Sequence, residues 1–314
     1  MPDSEAAADL PLRTGKVAQD QAGSRLDAFL ARWLEISRSE VRRLLSEGAA
    51  SLDGQSVGLR HKGLPLPAGA SVEISGFRPA DQRRARAARE GPVPMVLAEG
   101  PGWLAIDKPA GMPVHPLRED EIGTALGQIA SLHPEIQGVG EAGLRSGVVH
   151  RLDVDTSGVM LMATEQSCWE RLRRAFSEQQ IEKTYLAIVR GEFSGERQLD
   201  LMLRVSRHRP ARVRVASEGQ DGAREVSMRV KALESYPAAT LVEVVPKSGF
   251  LHQIRAALAH IGHPLLGDQA YGEADDESRA ARHMLHAQAL RFEEIVASCD
   301  PPQDFRGVLE GLRI

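Results

Sequence analysis

The chain of 314 residues has only two cysteines, Cys168 and Cys299, which lie far apart in the sequence. Two such thiols provide neither a disulfide framework nor a metal cluster, and they fit a reducing compartment. No apolar run approaches the roughly 20 residues that cross a bilayer. Residues 1–20 carry acids and no apolar core segment, so we expect a disordered tail over residues 1–22 instead of a signal peptide. These absences predict a cytoplasmic protein with no membrane partner.

The sequence also lacks the motifs that usually hold a cofactor. It contains no glycine-rich phosphate loop and no set of Cys and His residues at ligand spacing, and His115 has no partner for a zinc site. We therefore expect no metal, nucleotide or nicotinamide cofactor.

Positive charge is concentrated locally, although the formal net charge is −4. Residues 24–89 contain 12 Lys and Arg against 7 Asp and Glu, and a second basic run spans residues 204–214. Electrostatic attraction between charged side chains and phosphate extends over about 10 Å, so these local clusters matter more than the net charge of the chain. They are compatible with RNA binding, and equally with a solvated charged surface.

Residues 23–78 predict a small α+β domain. The apolar residues Leu26, Phe29, Leu30, Trp33 and Leu34 recur at helical spacing. Ser37 and Glu40 have the spacing of a capping box and predict the start of a second helix. The dipeptide Asp53-Gly54 favours a tight hairpin turn after that helix. The order of two helices and a hairpin resembles the S4 RNA-binding domain, which implies phosphate contacts from Arg38, Arg42 and Arg43.

Residues 79–94 predict a basic linker, either a short helix or a disordered tether, because arginines are interspersed with alanines and two prolines end the stretch. The second domain then spans residues 95–314. Its centre is a polar loop, residues 150–158, HRLDVDTSG, between apolar residues 148–149 and 159–163. This pattern predicts two short strands joined by a loop. The loop could hold chemistry, or it could be a plain turn in which Arg151 pairs with Asp153.

The loop resembles the signature of the RluA-type pseudouridine synthases. Residues 108–116 resemble the Lys-Pro-x-Gly segment of that family, and residues 247–255 resemble its motif centred on His-Gln-Ile-Arg. The resemblance implies that Asp153 is the catalytic residue and that Arg255 pairs with it. It also implies that Arg151 fills the gap left by a flipped uridine and that Tyr185 holds the flipped base.

Three residues depart from the family pattern near the third motif. Phe250 and Leu251 stand where the family often has Arg-Thr, and Ala257 stands where it often has His. These departures bear on RNA contacts near that helix and leave Arg255 in place.

The resemblance implies an α+β fold with a mixed, mainly antiparallel sheet, joined to the S4-like domain. It implies isomerisation of uridine in structured RNA by a monomer, with large-subunit ribosomal RNA as the first candidate substrate and transfer RNA as the second. Asp153 could attack the sugar, attack the base or accept a proton. The sequence leaves these roles open and leaves the target uridine unidentified.

Two other classes of function compete with this prediction. A glycoside hydrolase could use Asp153 and Asp155, but neighbours two residues apart on a turn rarely reach the required carboxylate separation of about 5 Å or more. A non-catalytic S4-type RNA-binding protein is the stronger alternative. The joint presence of Asp153, Tyr185 and Arg255 favours the enzyme.

Overall fold

The computed structural model describes residues 12–88, 91–208, 210–272 and 280–313. The chain divides into two compact units, with the boundary between Arg83 and Arg84. No helix within the described ranges is long and apolar enough to cross a membrane.

The first unit combines two helices with a four-stranded antiparallel sheet. Its elements are β1 (Arg13–Lys16), α1 (Leu26–Trp33), α2 (Arg38–Ser46), β2 (Ala50–Leu52), β3 (Gln55–Val57) and β4 (Ser71–Ile74). The sheet order is β1-β4-β2-β3. Ser37 caps α2 and forms the expected reciprocal bonds with Glu40. Asp53 and Gly54 both have positive φ, as a two-residue hairpin turn between β2 and β3 requires.

The prediction of a disordered tail over residues 1–22 is wrong for strand β1. Arg13–Lys16 pairs antiparallel with β4, and Gly15 lies so close to Trp33 that a Cβ atom there would stand 2.7 Å from the indole ring. Backbone hydrogen bonds to β4 hold this strand in place. Because its sequence shows no apolar alternation, the sequence pattern does not reveal it. The first eleven residues of the predicted tail lie outside the described residues.

The predicted linker over residues 79–94 is wrong for the stretch that follows Arg84. Ala85 is buried in the core of the second unit, and its carbonyl accepts a 2.8 Å hydrogen bond from the Gln137 side chain. The backbone N–H of Ala88 donates to the carbonyl of Gly127 at 3.1 Å. Ala85 and Ala88 are buried and are therefore packing positions instead of the spacers of a free tether, while Ala87 is exposed.

One ten-stranded sheet forms the frame of the second unit, counted over its described residues. Its strands are β5 (Met95–Gly100), β6 (Trp103–Lys108), β7 (Ser157–Ala163), β8 (Glu182–Arg190), β9 (Glu196–His208), β10 (Ala211–Val215), β11 (Arg224–Tyr236), β12 (Ala239–Pro246), β13 (Leu285–Phe292) and β14 (Ile295–Ser298). Its helices are α3 (Ala125–Ala130), α4 (Gln166–Ser177), α5 (Gln253–His260) and α6 (Gln303–Leu312).

The sheet order is β10-β9-β11-β12-β8-β13-β7-β6-β5, and β14 pairs with β13. Strands β13 and β7 are parallel, while the other named pairs are antiparallel. The predicted α+β fold with a mixed, mainly antiparallel sheet is confirmed. Strand β7 is buried along its whole length between β6 and β13. The loop that precedes β7 therefore leads directly into an interior strand of the sheet.

One local prediction in this unit needs correction. Residues 148–149 do not form a strand, because Val148 makes only a single bridge to Met162. The C-terminal segment after Pro302 forms helix α6. Phe305 of this helix is fully buried against the sheet residue Ile188 and its neighbours, so tertiary packing stabilises the helix.

Candidate active site

Asp153 lies in the loop that precedes β7, and a buried lysine fixes the backbone beside it. Lys108 is fully buried at the end of β6. Its ammonium donates to the carbonyls of Pro109, Met112 and Val154, each at 2.9 Å. Burial lowers the pKa of Lys108 to about 7, and the charge of Asp155 opposes that shift. Three carbonyl acceptors match the three hydrogens of an ammonium group, so Lys108 joins the Lys-Pro segment to the loop that carries Asp153.

The C-terminal side of the loop is held by residues just before β13. Arg282 donates to the carbonyl of Asp155 at 2.9 Å and is itself held by Asp304 at 2.7 Å. The hydroxyl of Thr156 and Nε2 of His283 lie 2.8 Å apart. Both halves of the loop are thus attached to rigid elements, which preorganises the carboxylate between them.

Arg255 binds Asp153 and is held in turn by a second carboxylate. Its Nη1 donates to Oδ2 of Asp153 at 3.0 Å, and its Nε and Nη2 donate to the two oxygens of Asp268 at 2.8 Å each. Although burial alone would raise the pKa of the Asp268 carboxyl, the hydrogen bonds from Arg255 lower it. The fork with Asp268 fixes the plane of the guanidinium, so one N–H of Nη1 points at Asp153.

His252 approaches Asp153 from the residue before α5. Its Nε2 lies 3.8 Å from Oδ1 of Asp153, and its Nδ1 lies 2.9 Å from the hydroxyl of Tyr271. The Val213 N–H donates to that hydroxyl at 2.8 Å, which leaves the tyrosine proton for Nδ1. Burial lowers the pKa of His252 and favours the neutral ring. A neutral ring that accepts at Nδ1 carries its proton on Nε2, facing the carboxylate.

The Asp153 carboxylate faces a cleft with an empty volume of about 470 Å³. Tyr185 on β8 and the exposed Arg151 line this cleft together with Asp153. Burial and, next, the charge of Asp153 raise the pKa of the Tyr185 hydroxyl, which keeps it neutral. The structure therefore brings together Arg151, Asp153, Tyr185 and Arg255 at one cleft, as the resemblance implies.

The three arginines of α2 differ in their surroundings. Arg38 and Arg42 are exposed. Arg43 binds both carboxylate oxygens of Glu47, at 2.9 and 3.0 Å. Its charge is partly neutralised within the helix, so Arg38 and Arg42 are the better candidates for phosphate contacts.

The departures from the family pattern occupy different environments. Phe250 lines the cleft, while Leu251 packs against the buried cluster that contains Leu203 and Val213. Ala257 is fully buried in the core beneath α5. The alanine at this position therefore supports packing and offers no contact to RNA.

Sequence comparisons extend these observations. Residues 102–260 match the family described as RNA pseudouridylate synthase. Ribosomal large subunit pseudouridine synthase D of Xanthomonas campestris pv. campestris is 32% identical over 324 residues, covering 97% of this chain and 94% of that protein. This chain belongs to the RNA pseudouridylate synthase family. It is accordingly an isomerase that converts uridine to pseudouridine in RNA.

Further relatives agree with this assignment. Ribosomal large subunit pseudouridine synthase C of Escherichia coli strain K12 is 30% identical over 292 residues, covering 88% of this chain and 87% of that protein. The solved structure of human RNA pseudouridylate synthase domain containing 4 has a TM-score of 0.55 at 21% identity, covering 69% of this chain and 92% of that one. The solved structure of human RNA pseudouridylate synthase domain containing 1 has a TM-score of 0.54 at 23% identity, covering 72% of this chain and 98% of that one. At these identities the two structures support the fold alone.

Sequence reasoning did not identify several supporting residues of the site. Lys108 stands in the Lys-Pro-x-Gly segment without an assigned role, and the three motifs do not include Asp268, Tyr271, Arg282 or His283. Lys108 and its partner Val154 are 46 residues apart in the chain, and His283 and its partner Thr156 are 127 residues apart. The local signal at Asp268 is a polar residue directly after a glycine, Gly267, which is typical of a turn.

Proposed function

We propose that this isomerase acts on large-subunit ribosomal RNA and that Asp153 is its catalytic carboxylate. The observation that carries the catalytic assignment is the Asp153–Arg255 contact at the cleft, with Arg255 held by the buried Asp268. An ion pair in a partly dry site stabilises the charged form of a carboxylate. The names of the relatives from Xanthomonas campestris and Escherichia coli support the choice of RNA.

The reaction breaks the N1–C1′ bond of uridine and forms a C5–C1′ bond. The uracil loses a proton at C5 and gains one at N1, so no external electron carrier is consumed. An ionised Asp153 can take part by attacking the nucleoside or by accepting the proton. The target nucleotide must leave its stack, at a cost of a few kcal/mol. Arg151 would occupy the gap it leaves, and Tyr185 would stack on the base within the cleft.

The first unit serves as the RNA-binding domain in this proposal. Its two helices, its hairpin and the exposed side chains of Arg38 and Arg42 on α2 support an S4-like role. The segment 79–83 joins it to the catalytic unit. The cleft is complete within one chain, which supports a monomer as the active species, and the free thiols of Cys168 and Cys299 support a cytoplasmic location.

The test is release of tritium from RNA labelled at uridine C5, with unmodified large-subunit ribosomal RNA and transfer RNA as separate substrates. We expect release from the ribosomal RNA, and pseudouridine at one or a few positions in it. Mapping pseudouridines in RNA from cells that lack the gene identifies those positions. Release from transfer RNA alone would replace the proposed substrate, and binding without release from either RNA would contradict the catalytic role of Asp153.

A further inference from the structure

A second cavity, of about 1040 Å³, adjoins the cleft of Asp153. Arg151, Tyr185, Ser248 and Gly249 line both cavities. The charged side chains that line the second cavity are Arg145, Arg151, Arg173 and Lys183. We call this cavity the basic pocket. No carboxylate side chain of the described residues lines it, so its field attracts anions.

Lys183 on β8 is the least accessible cation of the basic pocket, with 7% of its surface exposed. One N–H of its ammonium donates to the carbonyl of Ser248 at 3.1 Å, and the nitrogen lies 5.9 Å from the centre of the Phe176 ring. No Asp or Glu in the described ranges forms an ion pair with it. Burial of an ammonium without a counter-ion is costly. The remaining donors are therefore suited to an anion that arrives with a ligand.

The other cations of the basic pocket are only partly neutralised. Glu141 binds Arg145 at 2.7 Å and lies 4.0 Å from Arg173. Arg151 forms no ion pair within the described part of the chain. The effect of this field is visible at His150, where burial and then the charges of Lys183 and Arg173 lower the pKa to about 3. The basic pocket thus keeps an excess of positive charge next to the active site.

We propose that the basic pocket binds a phosphate of the RNA backbone next to the target uridine, with Lys183 as its innermost ligand. The inference rests on the proposed function and names a contact of the same site. A nucleotide held in the cleft between Arg151 and Tyr185 brings an adjoining phosphate to the pocket that these residues also line. A phosphodiester supplies the negative charge and the acceptor oxygens that the buried ammonium lacks.

The test compares Lys183→Met with Lys231→Met, a control with the same change at an exposed position on β11. The dissociation constant for an unmodified large-subunit ribosomal RNA transcript is measured at several salt concentrations. Loss of one phosphate contact should lower the slope of log K against log salt by about 0.7 to 0.9. The dissociation constant at fixed salt should rise by about tenfold in Lys183→Met and stay unchanged in Lys231→Met. Lys183→Arg should restore the slope.

A structural role of Lys183 would give a different result. Lys183→Met would then unfold more easily, with a salt slope equal to that of the control, and the proposal would be overturned. If Lys183→Met does not fold, Arg173→Met tests the same pocket from an exposed position on α4 and should also reduce the slope.

Free phosphate is tested separately. Inorganic phosphate that stabilises the wild type but not Lys183→Met, with an unchanged RNA slope, would identify a free anion as the ligand and overturn the RNA contact. The wild type and Lys183→Met could show the expected difference in salt slope on the transcript while the wild type releases no tritium from it. That result would refute ribosomal RNA as the substrate and would leave the phosphate site supported.

Discussion

Asp153 and Arg255 meet at 3.0 Å although 102 positions separate them in the chain. The contact joins the loop before β7 to helix α5. Arg255 reaches it with a guanidinium already bound through two N–H groups to Asp268. The carboxylate of Asp153 is thus opposed by a cation whose position is set before substrate arrives, which is the arrangement that electrostatic preorganisation requires.

We expect Asp153→Asn to abolish tritium release while RNA binding stays near the wild-type level. Asparagine keeps the shape of the side chain and removes its negative charge and its basicity. Asp155→Asn is the matched control, because the Asp155 side chain is exposed and does not line the cleft, and the loop is held through its backbone carbonyl. Turnover by Asp153→Asn, or an equal loss in Asp155→Asn, would contradict the assignment and would revive a paired-carboxylate mechanism.

Arg255→Ala should lower the single-turnover rate at saturating RNA by roughly 100-fold or more, and Arg255→Lys should recover part of it. The alanine variant leaves the carboxylate of Asp153 without its counter-ion, while lysine keeps the charge and loses the planar fork. A raised KM with an unchanged single-turnover rate, rescued by low salt, would instead indicate that Arg255 contacts RNA phosphate.

Asp268→Asn should destabilise the protein by about 3–5 kcal/mol at pH 7, because it leaves the buried guanidinium of Arg255 underpaired. The pKa of Asp268 is lowered in the folded state by the hydrogen bonds from Arg255 against the effect of burial. Its contribution is therefore present above the unfolded pKa and is lost as pH falls through the folded pKa. Urea unfolding at pH 7 and at pH 3 should show the difference between the variant and the wild type shrinking in acid. An equal difference at both values would contradict the ion-pair explanation.

The arginines of α2 offer a comparison within one helix. Arg42→Gln should remove about one phosphate contact and thereby reduce the slope of log K against log salt for RNA by about 0.7 to 0.9. Arg43→Gln should reduce it less, because Arg43 is bound to Glu47. Both positions are on the helix surface, so thermal unfolding should change little. Equal slopes in both variants and the wild type would remove α2 from the RNA interface.

Local patterns in the sequence predicted the helices of the first unit well, because a capping box and apolar spacing act within one turn. Ser37 and Glu40 form the expected cap, and Leu26 and Leu30 are fully buried. Strand β1 was missed because only its backbone pairing defines it. The same physical limit applies to the sheet order, in which β13 lies between β8 and β7. No local signal encodes that arrangement.

The candidate site was predictable only where a motif carried it. Asp153 and Arg255 were identified by resemblance, and the structure places them in contact. The residues that hold them, such as Lys108 and Asp268, act through partners brought together by the sheet and by the loops around it. Their roles depend on tertiary distances, which periodicity and residue spacing do not contain.

RNA affinity should depend on pH through Lys183, because burial lowers the pKa of Lys183 to about 8. The ammonium is charged below that value and can bind phosphate. Deprotonation above it removes the contact. Because the complex holds the proton more tightly than the free protein, the dissociation constant should be flat below pH 8 and rise by up to about tenfold per pH unit above it. Lys183→Arg should remain flat between pH 7 and 9.

The neighbours of Lys183 do not produce the same signal. His150 has a pKa of about 3, burial raises the pKa of Tyr185 further, and the arginines stay charged. Lys108, with a pKa of about 7, binds the loop that carries Asp153 through the Val154 carbonyl, so affinity is measured instead of turnover. Anisotropy of labelled RNA at constant ionic strength provides the measurement. If Lys183→Arg retains the wild-type dependence, Lys183 is not the titrating group; if the wild type is flat to pH 9, the ammonium does not contact phosphate.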